Sequence, residues 1–409
     1  MKPISKSELA GERAVTEDGA PTDDALRGLG AELDSETGAV PGPFLEGPLA
    51  GEDTEPSFFD DPGQITKTLA IVFVLVVAIY VLAPKLAGLD DAIAKLGEAN
   101  RWWIGIALAA NVLAFGSYVA LFRGVVGDRS VRLDWRESYQ ITMAGLAATR
   151  LFSAGGAGGI VLTYWALRKA GMPRKESAGR MVTFLVLLYV VYVVAVIVFG
   201  VLLRVGVLPG DGPLSMTVIP AALAGAVLLA IAAMALIPGD LERRIGPRTG
   251  DGRLGRWVER AATIPVTIST GVRSALSFLA DLSKGSLALA GAFGFWAANI
   301  AILWASFKSL GVAVPLGEIV MGFFVGMIAN LVPSPAGVGA VDGGMIGAFA
   351  VFGYPLEVVI AAVLIYRLIA FWLPIPPGII AFFQLRRTVA RWDRNRGGGA
   401  PPPLAATSG

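Results

Sequence analysis

Three charged residues stand inside apolar stretches of this sequence: Arg150, Asp342 and Arg367. Arg150 follows Tyr139 by eleven positions and Arg367 follows Glu357 by ten. On helices rising 1.5 Å per residue, each guanidinium would lie about 15 Å inside a bilayer. Holding such a charge at the bilayer centre costs at least about 2.5–3.5 kcal/mol, so all three should face the protein interior or a watery path. Two arginines against one acid leave a surplus positive charge, which suits a phosphate or other anionic head group. The plainer alternative is that Asp342 neutralises one arginine and ties two helices together. Beside these charges lie two Gly-rich breaks. The first reads Arg150-Leu-Phe-Ser153-Ala-Gly155-Gly156-Ala-Gly158-Gly159, and the second Asn330-Leu-Val-Pro333-Ser334-Pro335-Ala-Gly337-Val-Gly339. Helices restarting near Gly159 and Gly339 would add free N–H donors and partial positive charge. Ser153, Asn330 and Ser334 could supply further hydrogen bonds, and the glycines and prolines would shape the two elbows. The substrate-binding expectation covers these fourteen residues: Arg150, Ser153, Gly155, Gly156, Gly158, Gly159, Asn330, Pro333, Ser334, Pro335, Gly337, Gly339, Asp342 and Arg367.

Histidine and cysteine are absent from the 409 residues. That excludes disulfides, thiol nucleophiles, Ser-His-Asp triads and the usual His/Cys zinc and haem sites. Few carboxylates remain within the apolar body for paired-acid or Mg²⁺ chemistry, so neither a catalytic set, a metal site nor a cofactor is expected. The chain is 55% hydrophobic and only 16% charged, against roughly a quarter charged in soluble domains. A mean hydropathy of +0.65 points the same way, to a membrane.

A bilayer core of about 30 Å needs roughly 20 apolar residues of helix. Six stretches qualify: 65–83, 102–122, 181–203, 217–238, 285–307 and 357–384. Residues 139–170 and 317–353 are too long for one span and short for two, and each contains one of the Gly-rich elbows. A helix broken at membrane depth needs protein or a wet cavity to satisfy its backbone, so both stretches are expected to be re-entrant hairpins. The basic connections are 123–138, 168–180, 239–284 and the end after Arg386, whereas 204–216 holds only Arg204 and 308–316 only Lys308. Placing the basic connections inside puts both termini in the cytoplasm. Span, span, hairpin, span then occurs twice, over 65–203 and 217–384, in opposite orientations. Ala109-Ala110-Asn111 and Ala297-Ala298-Asn299 fall at matching places. Inverted repeats with paired broken helices point to a transporter whose binding site lies near the midplane. The expected fold is therefore an all-α polytopic membrane protein with six full spans and two re-entrant hairpins in an inverted-topology repeat.

Residues 1–64 carry 4 Lys/Arg and 15 Asp/Glu. With no sustained apolar period, they read as a disordered acidic cytoplasmic tail; 391–409 read as a disordered end, leaving 65–390 as the membrane domain. In 239–284, Leu254, Trp257, Val258 and Ala261 among seven arginines suggest an amphipathic helix on the anionic inner leaflet rather than a nucleic-acid site. Glu318 and Glu357 read as ordinary solvated charges at outer helix ends.

The elbows also carry a resemblance. Ala147-Ala148-Thr149-Arg150 running on to Gly159, then Arg168-Lys169-Ala-Gly-Met172, is similar to the first signature of the lysylphosphatidylglycerol synthase transmembrane region, the flippase-like domain family. Asn330 to Gly344, Tyr366-Arg367 and Phe371-Trp372-Leu373-Pro374 resemble its second signature. The resemblance spans about 65–390. It implies an integral protein of a bacterial cytoplasmic membrane associated with moving aminoacylated phospholipid between leaflets. In bifunctional members a cytoplasmic synthase domain follows; here about 20 residues follow the last span, so aminoacyl transfer is not expected. The first expectation is a lipid flippase or scramblase-like transporter, whose partners are the bilayer and a lipid with a charged head group. A non-catalytic scaffold for a lipid-processing enzyme is the second, and an intramembrane transferase acting on polyprenyl phosphate the third. No Walker-type Gly-Lys-Ser/Thr is present to harness ATP.

Overall fold

The computed structural model describes residues 97–127, 131, 133–151, 157–235, 269–278, 280–329 and 339–397. Among them the regular structure is helical and no strand occurs. In chain order the helices are α1 (Arg101–Val126), α2 (Trp135–Leu151), α3 (Ala157–Lys169), α4 (Arg174–Arg204) and α5 (Val218–Ala235). There follow α6 (Leu282–Ser309), α7 (Leu316–Ile328), α8 (Ala340–Val351), α9 (Leu356–Arg367) and α10 (Ile375–Gly397). A π-helical turn, Leu368–Trp372, links α9 to α10. The expected span 65–83, the acidic tail 1–64, most of the basic loop 239–284 and residues 398–409 lie outside the described residues. The expected domain end at 390 falls inside α10, which continues to Gly397.

Local chemistry sets the helix ends. Asn100 caps α1 by accepting from the Trp102 N–H at 2.9 Å. Asp134 and Glu137 form a reciprocal pair at the start of α2, each carboxylate accepting from the other residue's N–H at 2.6 and 3.0 Å, so two donors that the helix leaves unpaired are satisfied. Pro173, Pro315 and Pro355 precede α4, α7 and α9; with its φ fixed and no N–H to lose, proline suits a helix entrance.

Among the described residues, four helical stretches are long and apolar enough to cross a membrane: Arg101–Val126, Arg174–Arg204, Gly285–Ser309 and Leu356–Arg394. Val218–Met234, Leu316–Ile328 and Ala340–Val351 are shorter apolar helices. Large apolar side chains stand on the outside, among them Val112, Leu229 and Phe293 at 67–74% exposure. Such a surface belongs against lipid rather than water. Inside, Phe307, Phe323, Phe324 and Phe349 are completely buried.

Glycines permit the closest helix approach. On α6, Gly291 lies so near α1 that a Cβ there would sit 2.3 Å from the Leu121 nitrogen, and one on Gly124 of α1 would meet Ala288 at 2.6 Å. Small residues at such crossings let backbones pack where no hydrophobic force separates helix from lipid. The same device builds two antiparallel pairs. In α2–α3, Gly145 backs onto Gly159. In α7–α8, Gly326 meets Met345 and Gly322 meets the Phe349 ring. Both pairs are made of the half-length helices flanking the Gly-rich breaks.

Candidate functional site

Proline creates the centre of the site. In a continuous helix the N–H of residue 374 would reach the Ala370 carbonyl, but Pro374 has none. The chain winds Leu368–Trp372 as a π turn, and the Leu373 N–H reaches back five residues to Leu368 at 3.0 Å. Two carbonyls at this break, those of Ala370 and Phe371, are taken by one side chain from the other half of the sequence. Arg150, in the last turn of α2, donates from Nη2 to the Ala370 oxygen at 3.0 Å and from Nη1 to the Phe371 oxygen. A planar guanidinium suits this fork because its N–H groups are held in fixed relative directions. Among the described residues no carboxylate lies within ion-pair distance of Arg150.

Arg367 is treated differently. It is 6% exposed, and its Nε donates to the Asp342 Oδ1 at 2.5 Å, with Nη2 at 3.5 Å from Oδ2. The same carboxylate accepts the Gly339 N–H at 2.9 Å. Asp342 therefore closes the N-terminus of α8 and pins α9 to it. Gly339, at φ +85°, adopts a left-handed conformation that favours glycine and turns the chain into that helix. Both guanidinium carbons lie 4.7 Å from the centre of the Phe371 ring, and Arg150 is also 5.9 Å from the Phe115 ring of α1. Aromatic faces attract cations by their quadrupole, more strongly where water is excluded. Next to Arg367, the Tyr366 hydroxyl donates to Asn299 Oδ1 at 3.3 Å, while Asn299 Nδ2 donates to its own helix at the Phe295 oxygen.

The charged trio expected from sequence thus assembles around Phe371, with Asp342 committed to Arg367 and Arg150 left as the surplus cation. Gly158 and Gly159 fall in the first turn of α3. Gly159 serves close packing, since a Cβ there would overlap the Gly145 oxygen at 2.3 Å and the Thr149 hydroxyl at 2.0 Å. Gly339 is the entrance to α8. Ser153, Gly155, Gly156, Asn330, Pro333, Ser334, Pro335 and Gly337 lie outside the described residues. Sequence reasoning missed Phe371, Phe115 and the carbonyls of 370–371. Prolines 374, 376 and 377 inside an apolar run were the available signal. One expectation is corrected: Glu318 is not a solvated end charge. It is 5% exposed, in the first turn of α7, and accepts from the Tyr354 hydroxyl at 2.5 Å and the Asp211 N–H at 2.7 Å. Those two donors replace the water that a helix-end carboxylate would otherwise keep.

Comparison with known proteins points to a membrane family. Two curated matches, both called UPF0104 membrane protein and both from Methanothermobacter thermautotrophicus, are similar to the chain. One is 25% identical over 329 residues, 76% of this chain and 93% of the relative. The other is 32% identical over 89 residues, 22% of this chain and 25% of the relative. The family model described as the lysylphosphatidylglycerol synthase TM region matches residues 68–378, a range that includes both helix pairs, the π turn and all three central charges. On that match the chain is an integral membrane protein belonging to the lysylphosphatidylglycerol synthase TM region family.

Proposed function

We propose that this protein moves a lipid with a phosphate-bearing head group between leaflets, along a path lined by the two elbows and by Arg150. The observation that carries the reading is Arg150, a half-buried cation among apolar helices with no carboxylate partner among the described residues. Two of the five guanidinium N–H groups hold the carbonyls of 370 and 371; three remain for a ligand. A doubly or singly ionised phosphate would form charge-assisted hydrogen bonds with them, the strong kind at low dielectric. A lysyl-modified head group would meet this cation with its own positive charge, so the reading favours phosphate over lysyl recognition. Family membership supports flippase-like behaviour, and the paired half-helices support an inverted repeat of six spans and two re-entrant hairpins. In this reading the protein sits in a bacterial cytoplasmic membrane with both termini inside, uses no cofactor and catalyses no covalent step.

The scaffold alternative has one observation in its favour, because Arg150 already braces the broken helix. Reconstitution separates the two. In proteoliposomes holding the purified chain, fluorescent phosphatidic acid is expected to cross faster than a zwitterionic analogue, and the lysyl-modified lipid slowest. Rates equal to protein-free liposomes for every head group would remove the transport reading and leave the scaffold.

A further inference from the structure

Glu318 is the one strongly buried carboxylate described that takes no part in the central site. Its surroundings come from three parts of the chain. The linker between α4 and α5 contributes the Asp211 N–H, and Gly210 packs against the carboxylate so tightly that a Cβ there would lie 2.4 Å from Oε1. Gly210 is at φ +127°, so both its conformation and its lack of a side chain let the linker reach. The turn between α8 and α9 contributes the Tyr354 hydroxyl. Underneath, Gly317 packs on Leu203 and Leu208. A single carboxylate thus fastens the connection between the two halves of the sequence to the α7–α8 pair.

Among the described residues no cation pairs with it. Arg204, at the end of α4, donates instead to the Gly212 oxygen at 3.2 Å. Of the other charged groups on the elements meeting here, Asp211 in the linker and Glu357 in the first turn of α9 are acidic. Lys308 at the end of α6 lies over the Trp304 ring, and Arg367 in the last turn of α9 is paired with Asp342. Arg174, Lys175 and Arg180 fall in the first two turns of α4, away from its Arg204 end. Burial, with the hydrogen bond to Glu318 and the charges of Glu318 and Asp211 adding to it, pushes the Tyr354 hydroxyl above its ordinary range, so Tyr354 remains a donor. A carboxylate accepts from both donors while ionised; protonation turns one oxygen into a donor and weakens the acceptor left behind.

We propose that Glu318 is a proton-binding site that latches the 205–217 linker over the α7–α8 pair when ionised and releases it when protonated. As the outer latch of a lipid path it rests on the transport reading above. The ligand is the proton, and the latch favours the closed arrangement at neutral pH.

Hydrogen exchange on the purified full chain tests this without any transport assay. Protection of 207–212, corrected for intrinsic exchange, should fall severalfold or more between pH 7.5 and about pH 3, where solvated carboxyl groups are protonated. Glu318→Gln should show weakened protection that no longer depends on pH, while α1 and α6 peptides exchange as in the wild type. Tyr354→Phe, which removes one donor to the charged form and leaves the chain packing, should move the loss of protection to higher pH. Protection in the wild type that ignores pH, or a Glu318→Gln chain that keeps the wild-type pH dependence, overturns the latch. A chain that translocates no lipid at any pH defeats the transport reading alone and leaves the exchange result standing.

Discussion

Among the residues, the contrast between Arg150 and Arg367 decides the chemistry. Arg367 and Asp342 form a buried pair, and removing one partner of such a pair typically costs 3–5 kcal/mol because the other charge is stranded. Asp342→Asn should therefore lower the denaturation midpoint well beyond an average substitution, by a loss of roughly 3 kcal/mol or more, because the amide is uncharged and offers one oxygen to two donors, Arg367 Nε and the Gly339 N–H. Thermal unfolding in detergent would register this, and a midpoint within a degree of wild type would remove the pair from the account. Arg150→Lys keeps the charge but offers one ammonium where a planar fork spans two carbonyls, so it should retain part of the transport and lose part of the stability. The charges themselves were legible in the sequence, because ionised groups in apolar runs are conspicuous. Their partners were not: whether Asp342 would choose Arg150 or Arg367 depends on where the α8 N-terminus lies, and Phe371 looks like any apolar residue of its run.

At the level of helices, packing by glycine is the controlling feature. Gly291→Ala would drive a methyl into the α1 backbone at Leu121, whereas Gly225 on α5 has nothing within 4 Å. Overpacking costs typically about 1–3 kcal/mol, while replacing an uncrowded helical glycine by alanine stabilises by roughly 0.5–1 kcal/mol. The two substitutions should therefore shift the unfolding midpoint in opposite directions, and shifts of the same sign would contradict the packing described for α1 and α6. Helix existence was readable from hydropathy. The charge-free runs 102–122, 181–203 and 285–307 lie inside α1, α4 and α6, whose polar ends extend each run. The π turn was not readable, since hydropathy gives 357–384 as one uniform stretch. Pro374 announces a missing donor but not how the chain recovers, and the recovery needs an arginine from residue 150.

The molecule as a whole joins a central cation to a peripheral carboxylate. Arg150 from the first half of the sequence holds open carbonyls in the second, and Glu318 from the second half holds the linker that leaves the first. Beside the glycine packing of α1 on α6, these two polar contacts join the halves; in the proposed transport they are the contacts that rocking one half against the other would make and break. Class, membrane location and family were accessible from composition and the elbow motifs, because apolar length and Gly/Pro punctuation are local properties. The latch was not, for a glutamate in the first turn of a helix ordinarily faces water. The most direct test of the central claim is the initial rate of phosphatidic acid translocation by Arg150→Ala relative to wild type. Equal amounts of folded protein would be reconstituted and compared with protein-free liposomes. A fall of tenfold or more is the expected result, with the variant still folded by near-ultraviolet circular dichroism. An unchanged rate in a folded Arg150→Ala protein would contradict the claim and reduce Arg150 to a brace for the α9–α10 break.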